Sequence, residues 1–179
     1  MKNVFLLIVL TLCSGCIIAS ASSNANGITI VHPHEGKYYE CGGDDHYITL
    51  SNYANAKNPT YAQLLSFLRK DKTDEKKYTD TYVCADFAEK LHNNAEKKGI
   101  KCAWVGCDFK EGGDGHAFNL FKTADKGTVF IDCTGDDGSK YEDAIVNVKV
   151  GKILTEKYLF KKDSSPDPMG IVKHIDIFW

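Results

Sequence analysis

The clearest hydrophobic pattern in the chain lies between residues 84 and 100, where apolar positions recur with the period of an α-helix. These positions fall on one stripe, and they are Cys84, Phe87, Ala88, Leu91 and Ala95. Asp80 or Thr81 is predicted to cap this helix, and Gly99 is predicted to end it. The pattern therefore puts a cysteine in the first turn of a helix, on its buried face.

A shorter helix is predicted upstream, in the stretch "NPTYAQLLSFLRKD" at residues 58–71. Asn58 is the predicted N-cap, and Pro59 suits the first helical position. Three leucines share one face with Tyr61 at helical spacing. A polar connector leads from this helix to the longer one.

Beyond the longer helix, the apolar pattern becomes typical of β-strands. Residues 116–123 and 128–134 flank the short turn "ADKG" and predict a β-hairpin. Residues 24–55 are predicted to be mostly irregular, with a short strand at 27–31, and residues 152–161 are a helix or a strand. Further strands are predicted at 100–109, 144–150 and 170–179. We expect an α+β fold in which N-terminal helices pack on an antiparallel β-sheet.

Residues 1–23 have the layout of a secretory signal peptide. Lys2 precedes an apolar run at 4–12, and mostly small residues follow. That run is too short to predict a membrane span. The stretch that ends at Cys16 resembles a bacterial-type lipobox, so lipid attachment at Cys16 is the alternative to plain secretion. We expect an exported protein, extracellular or anchored at the outer face of the cell membrane.

Length and charge narrow the classes of function. The chain has 179 residues, and we place one domain at 57–179, after the signal and an irregular N-terminal segment at 24–56. The net charge of −2 argues against a general nucleic-acid binder, because no basic excess is present to neutralise phosphates. Removing the signal leaves an odd number of cysteines, so a monomer keeps at least one free thiol. They are Cys41, Cys84, Cys102, Cys107 and Cys133.

Three residues in the predicted elements have the chemistry of a catalytic triad. Cys84 opens the longer helix, His116 opens the first hairpin strand, and Asp132 lies near the end of the second. Pairing of the two strands is expected to bring His116 and Asp132 close together. A free thiol has a pKa of about 8.5, and a helix N-terminus and an imidazolium both favour its thiolate form. Asp132 would orient the imidazole, and the Cys84 backbone N–H would donate to a developing oxyanion.

Each of these residues also has a purely structural interpretation. A cysteine on an apolar helix face commonly packs in the core, and an aspartate at a strand end commonly forms a turn. A strand histidine is more often a hydrogen-bonded structural residue than a catalyst. The second oxyanion donor is open among Tyr78, Tyr82 and Gln63.

The sequence around the three residues resembles the transglutaminase-like superfamily. Its pattern is a Cys followed by a helical Phe-Ala, then His-Ala-aromatic, then a strand that ends in Asp-x-Thr. The matching stretches are "YVCADFAEKLHNNAEKKGI", "GHAFNLF" and "VFIDCTG". Residues 61–135 are similar to an uncharacterised prokaryotic branch of that superfamily, common in archaea. Phe118 stands where Trp is frequent and Cys133 where Pro is frequent, which bears on substrate specificity but removes no reactive group.

The resemblance implies a papain-like, transglutaminase-like core with Cys84, His116 and Asp132 as catalytic residues. An enzyme of this kind acts on an amide bond of a protein, peptide or other substrate through a thioester. A small member without accessory domains is expected to hydrolyse rather than to crosslink. We expect no cofactor, no metal and no nucleic-acid partner, and membrane association only through an N-terminal lipid or an uncleaved signal.

Two other functions stay open on the sequence. The same fold can serve as a non-catalytic binding module at the cell surface. The less favoured alternative is a zinc site built from Cys102, Cys107, Cys133 and His116, although the first two should face opposite sides of a regular strand. A second, looser group of metal-binding residue types is formed by His32, His34, Cys41 and His46.

Overall fold

The computed structural model describes residues 20–23, 27–135, 138–162 and 164–179. These residues form two α-helices, α1 (Tyr61–Leu68) and α2 (Cys84–Lys97). The strands before the helices are β1 (Ser20–Ser23), β2 (Ile28–His32), β3 (His34–Glu35), β4 (Tyr38–Tyr39) and β5 (Leu50–Tyr53). The strands after them are β6 (Ala103–Phe109), β7 (His116–Thr123), β8 (Gly127–Asp132), β9 (Ala144–Asn147), β10 (Thr155–Tyr158) and β11 (Val172–Phe178). The predicted α+β class is confirmed.

The central feature is a six-stranded antiparallel sheet with the order β10-β9-β8-β7-β6-β11. β7 and β8 form the predicted hairpin, with Asn119 opposite Ile131. The segment at 152–161, for which the sequence left helix and strand open, contains the strand β10. Within the described residues, β1, β2 and β5 form a second sheet, and β3 and β4 form a two-stranded ribbon.

The N-terminal part of the chain is more regular than the sequence suggested. The segment predicted to be irregular at 24–56 contains β2 to β5 in its described part, and Val31, Ile48 and Leu50 are buried with the start of α2. These strands are short and lie among Gly and Asp residues, so their hydrophobic alternation is too short to predict a strand. Residues 1–19 of the predicted signal, Cys16 included, lie outside the described residues. Among the residues that the structure describes, no helix is long and apolar enough to cross a membrane.

Helix α1 begins two residues later than predicted, so the assignment of Asn58 as N-cap was wrong. Thr60 is the N-cap, and its side chain accepts a hydrogen bond from the Gln63 backbone N–H. The Gln63 side chain accepts from the Thr60 N–H at 2.8 Å, which completes a capping box. This reciprocal pair satisfies two free donors, whereas Pro59 has no N–H to satisfy.

Helix α2 begins at Cys84, and its N-cap is Val83 rather than the predicted Asp80 or Thr81. The chain before it turns tightly, with paired backbone hydrogen bonds between Thr79 and Tyr82. The Asp86 carboxylate replaces a capping side chain, because it accepts the Val83 N–H at 2.9 Å. The helix ends as predicted at Gly99, whose φ of +78° favours glycine.

The apolar stripe of α2 packs on one face of the large sheet. Phe87, Leu91 and Ala95 are buried with Phe121 of β7 and Ile131 of β8. The opposite face of the sheet has its own core, in which Val105, Phe118 and Leu120 are buried with the chain after β9. Alternate positions of β6 and β7 therefore serve two cores, as the twofold period of a strand requires.

A polar stripe of α2 is also covered, by the backbone of residues 43–53. Its four side chains lie three or four residues apart and accept N–H groups at 2.7–3.0 Å: Asp86 from Gly43, Glu89 from Thr49, Asn93 from Ser51, and Glu96 from Tyr53. Two of these donors belong to β5, a strand at the edge of its sheet. The helix side chains thus satisfy edge-strand donors that would otherwise need water.

Candidate active site

The Cys84 thiol lies at the N-terminus of α2, where two contacts fix the first turn. Asp86 holds the Val83 N–H, and the Trp104 indole N–H donates to the Ala85 carbonyl at 3.2 Å. The side chain is half-buried, and the thiol is free, as are those of the four other cysteines in the described residues. A thiol at this position benefits from the positive end of the helix dipole and is not tied into a disulfide.

His116 and Asp132 meet in the hairpin, as the strand pairing predicts. His116 opens β7, Asp132 ends β8, and His116 Nε2 lies 2.5 Å from Asp132 Oδ2. The other oxygen of Asp132 accepts the Thr134 backbone N–H at 2.7 Å. The Cys84 thiol hydrogen-bonds the His116 ring. Because Nε2 faces Asp132, Nδ1 is the nitrogen left for Cys84.

The charges of this network are set by its contacts. Burial opposes a charged His116, but the charge and hydrogen bond of Asp132, with a further contribution from Cys84, raise the pKa of His116 well above its ordinary value. Burial also opposes a charged Asp132, but His116 and Thr134 lower the pKa of that carboxyl. The arrangement favours an imidazolium between a carboxylate and the thiol, which is the charge state that activates a cysteine nucleophile.

A cavity of about 300 Å³, here called the thiol cleft, gives access to Cys84 and His116. Tyr78 also lines it, and its hydroxyl is hydrogen-bonded by the backbone of Cys84. Of the three proposed second oxyanion donors, Tyr78 alone reaches this place. Gln63, another candidate, is used in the cap of α1, and Tyr82 packs edge-on against Phe87, with 4.7 Å between the ring centroids.

The thiol cleft is strongly acidic. None of the described residues that line it is a lysine or an arginine, whereas five carry a carboxyl group. These are Glu35, Glu40, Asp108, Asp114 and Asp176. Burial raises the pKa of Glu40, and the charges of Asp176, Asp108 and Glu35 raise it further. Negative charges thus converge on the approach to the thiol.

A second cavity of about 420 Å³, here called the carboxylate cavity, adjoins the other side of His116 and Asp132. Glu156 of β10 faces it, and Glu156 Oε1 lies 3.8 Å from His116 Nε2. Burial and then the charge of Asp132 raise the pKa of Glu156 to about 9, so this carboxyl holds its proton at neutral pH. Glu156 is a neutral acid beside the ion pair.

The two predicted groups of metal ligands do not assemble. Cys102 packs with α2 while Cys107 is buried on the opposite face of the sheet. His32 and His34 bind the backbone carbonyls of Ile48 and Gly36, and Cys41 donates to the Tyr39 carbonyl. In the described part of the chain, the side chains that do converge with metal-binding spacing are Asp44, His46 and Asp86 in one place and His116, Asp132 and Glu156 in another.

Sequence reasoning missed Glu156 and the acidic lining of the thiol cleft. The signal for Glu156 was a charged residue at a core position: Leu154, just before β10, and Glu156 within it are both buried, whereas Lys157 is exposed. The acidic lining gave no local signal, since its residues come from positions 35 to 176.

Comparisons with protein-family models, with curated proteins and with solved structures return no match to this chain.

Proposed function

We propose that the protein is an exported, transglutaminase-like thiol enzyme with a papain-like core, which hydrolyses amide bonds through a thioester. One observation carries the proposal. The Cys84 thiol, at a helix N-terminus, hydrogen-bonds an imidazole that Asp132 holds at 2.5 Å, and an open cleft reaches both groups. Nucleophile, base and orienting carboxylate are the three parts that covalent catalysis of acyl transfer needs.

In this reaction the Cys84 thiolate attacks the amide carbonyl carbon and forms a C–S bond, while the carbonyl electrons move to oxygen. The Tyr78 hydroxyl, which accepts the Cys84 backbone N–H, donates to that oxyanion. The C–N bond then breaks as His116 Nδ1 gives its proton to the departing amine. Water, deprotonated by His116, attacks the thioester, and breakage of the C–S bond releases the acid and restores the thiolate.

Activity measurements on the full chain test this function. We expect wild type to cleave members of a panel of peptide p-nitroanilides and glutamine amides, and Cys84→Ala to lose at least about 10³-fold in rate with unchanged circular dichroism. Acid quenching should trap an acyl group on Cys84 that hydroxylamine removes. A Cys84→Ala variant as active as wild type would overturn the proposal.

Thiol reactivity separates the enzyme from the non-catalytic binding module. Cys41 is an exposed thiol in the same molecule and serves as an internal reference. In iodoacetamide at pH 6, with sites resolved by peptide mapping, we expect Cys84 to react at least about tenfold faster than Cys41, and His116→Ala to remove that advantage. Equal rates at the two cysteines would instead support a binding module.

A further inference from the structure

The five carboxyl groups of the thiol cleft receive no lysine or arginine partner from the described part of the chain. Elsewhere in that part, lysines pair with Glu75 and Glu142. The basic side chain that does contact an acid of the cleft is His174, with Nε2 at 3.0 Å from Asp176. Because the whole chain has a net charge of only −2, the negative charge is local to the cleft.

Three of these carboxyl groups lie close to one another. Burial, and then the charges of Asp176 and Asp108, raise the pKa of Glu40, so the three groups repel one another. A cation bound among them would replace this repulsion with attraction, in a cleft whose walls exclude part of the water. The crowding therefore indicates a positively charged ligand.

The spacing of the carboxyl groups favours an organic cation over a metal ion. Where three or more metal-binding side chains of the described residues converge within 4.8 Å, none of them is an acid of the thiol cleft. A divalent ion needs its ligand oxygens gathered at a single point, whereas an ammonium or guanidinium group carries several N–H donors that reach separate carboxylates. Lysine and arginine side chains are cations of this kind.

The strand pairing puts the carboxyl groups within reach of a substrate on Cys84. Cys84 packs against the buried cluster that includes Ala117, the neighbour of His116. Ala117 stands opposite Gly106 of β6, and Gly106 stands opposite Asp176 of β11. Paired strands lie about 4.8 Å apart, so Asp176 is roughly 10 Å from Ala117, which an extended peptide covers in about three residues. Gly106 and Ala117 are small and line the cleft between these points, which leaves room for that peptide.

We propose that the thiol cleft binds a peptide with a lysine or arginine side chain within about three residues of the amide bond that Cys84 attacks, and that Glu40, Asp108 and Asp176 bind this cation. Binding of the cation stands by itself, whereas cleavage beside it rests on the proposed function. The contact is the same before and during the reaction, so it acts on KM rather than on kcat.

Cleavage of matched peptides by the full chain tests the substrate class. In internally quenched peptides of one sequence, a lysine is moved through the three positions on either side of the scissile amide and compared with glutamine. We expect kcat/KM at the best position to be at least about tenfold higher for lysine, mostly through KM, and the ratio to shrink at about 1 M salt. A ratio near one at every position, in an enzyme that cleaves the peptides, overturns the proposal and leaves the proposed function standing.

Charge removal assigns the cation to its carboxylates. Asp108→Asn and Asp176→Asn should each lower the lysine-to-glutamine ratio at least about threefold. Asp167→Asn removes the same charge from an exposed residue of the carboxylate cavity and should keep the wild-type ratio. Asp108 is exposed, so its variant keeps the test valid if Asp176→Asn folds poorly. A wild-type ratio in Asp108→Asn and in folded Asp176→Asn overturns the assignment.

Binding to Cys84→Ala tests the cation site without catalysis. By fluorescence anisotropy in about 0.05 M salt, a dye-labelled heptapeptide with a central lysine should bind at least about fivefold tighter than its glutamine analogue. Asp108→Asn in the same background should remove most of this preference. Equal affinities, or no measurable binding of the lysine peptide, overturn the proposal even if wild type cleaves amides. A lysine preference in a chain that cleaves no amide upholds the cation site and overturns only the proposed function.

Discussion

His116 is held by groups from two other elements, and their combined charge decides its protonation. Asp132 of β8 faces Nε2, while Cys84 of α2 hydrogen-bonds the same ring. The ring also lies 5.9 Å from the Phe118 ring, centroid to centroid, which limits its rotation. Because the imidazole is 8% exposed, water contributes little to its stabilisation and the side-chain contacts dominate.

Replacing Asp132 with Asn should separate orientation from charge at this residue. Asn keeps the size of the side chain but cannot balance an imidazolium, so we expect amide hydrolysis to fall by about 10²- to 10⁴-fold. Steady-state rates on the best p-nitroanilide measure the effect. Asp167 is an exposed aspartate that lines the carboxylate cavity, and Asp167→Asn is the matched control that should keep its activity. An Asp132→Asn enzyme within twofold of wild type would contradict the assigned role.

Asp143 should make the stability of the folded protein depend on pH. Burial, and then the charges of Asp74 and Asp71, raise the pKa of Asp143 to about 9, against about 3.9 in an unfolded chain. The folded state therefore binds the extra proton, and stability should fall as pH rises from about 4 to about 9. Asp143→Asn removes this loss. Thermal unfolding should show the variant more stable than wild type at pH 8 and without that advantage at pH 4; an advantage equal at both values contradicts the argument.

At the scale of elements, α2 is the part that joins site and scaffold. Its apolar stripe packs on the large sheet, and its polar stripe accepts backbone N–H groups from residues 43–53. The apolar stripe was predicted because packing leaves a 3.6-residue period in the sequence. The polar stripe reads as a solvated face, since nothing local shows that a distant strand covers it. The cap of α2 was misplaced for a different reason, because Asp86 stabilises the start of the helix from within its first turn, whereas the prediction placed the cap before the helix.

The stability of the segment at residues 43–53, which covers α2, should depend on pH through His46. Hydrogen bonds with Glu89 and then Asp44 raise the pKa of His46 to about 9, above the unfolded value of about 6.5. The contribution to stability is therefore fully present below about pH 6.5 and is lost as pH rises through about 9. We expect His46→Gln to lower Tm more at pH 6 than at pH 10. An equal loss at the two pH values, in matched salt, would refute this coupling.

At the scale of the whole molecule, the thiol cleft gathers its carboxylates from both ends of the described chain. Glu35 and Glu40 come from around the β3–β4 ribbon, and Asp176 comes from β11. The hairpin that carries His116 and Asp132 was predictable, because its strands are neighbours in sequence. Strand order and the lining of the cleft were not, because both depend on contacts between segments that are far apart in sequence.

The charge of the cleft should select among reagents for the thiol. Iodoacetate is an anion and iodoacetamide is neutral, so five carboxylates should slow the first reagent relative to the second. We expect the iodoacetate-to-iodoacetamide rate ratio at Cys84 to rise about threefold or more between roughly 0.01 M and 1 M salt, as the screening length shrinks. Mercaptoethanol under the same conditions gives the baseline, and a ratio at Cys84 that only follows this baseline would contradict an electrostatic cleft.

Trp104 turns the architecture of the cleft into an optical signal. Its indole is 1% exposed and lines the thiol cleft, and its N–H donates a hydrogen bond to the helix turn that carries the thiol. Trp179, the other tryptophan, lies beside the side chains of Lys101 and Lys122. Emission from a dry, anchored indole is blue-shifted, so filling or distorting the cleft should alter the fluorescence of the unmodified protein. The molecule thus carries its own reporter for ligand screening, without a dye and without knowledge of the substrate.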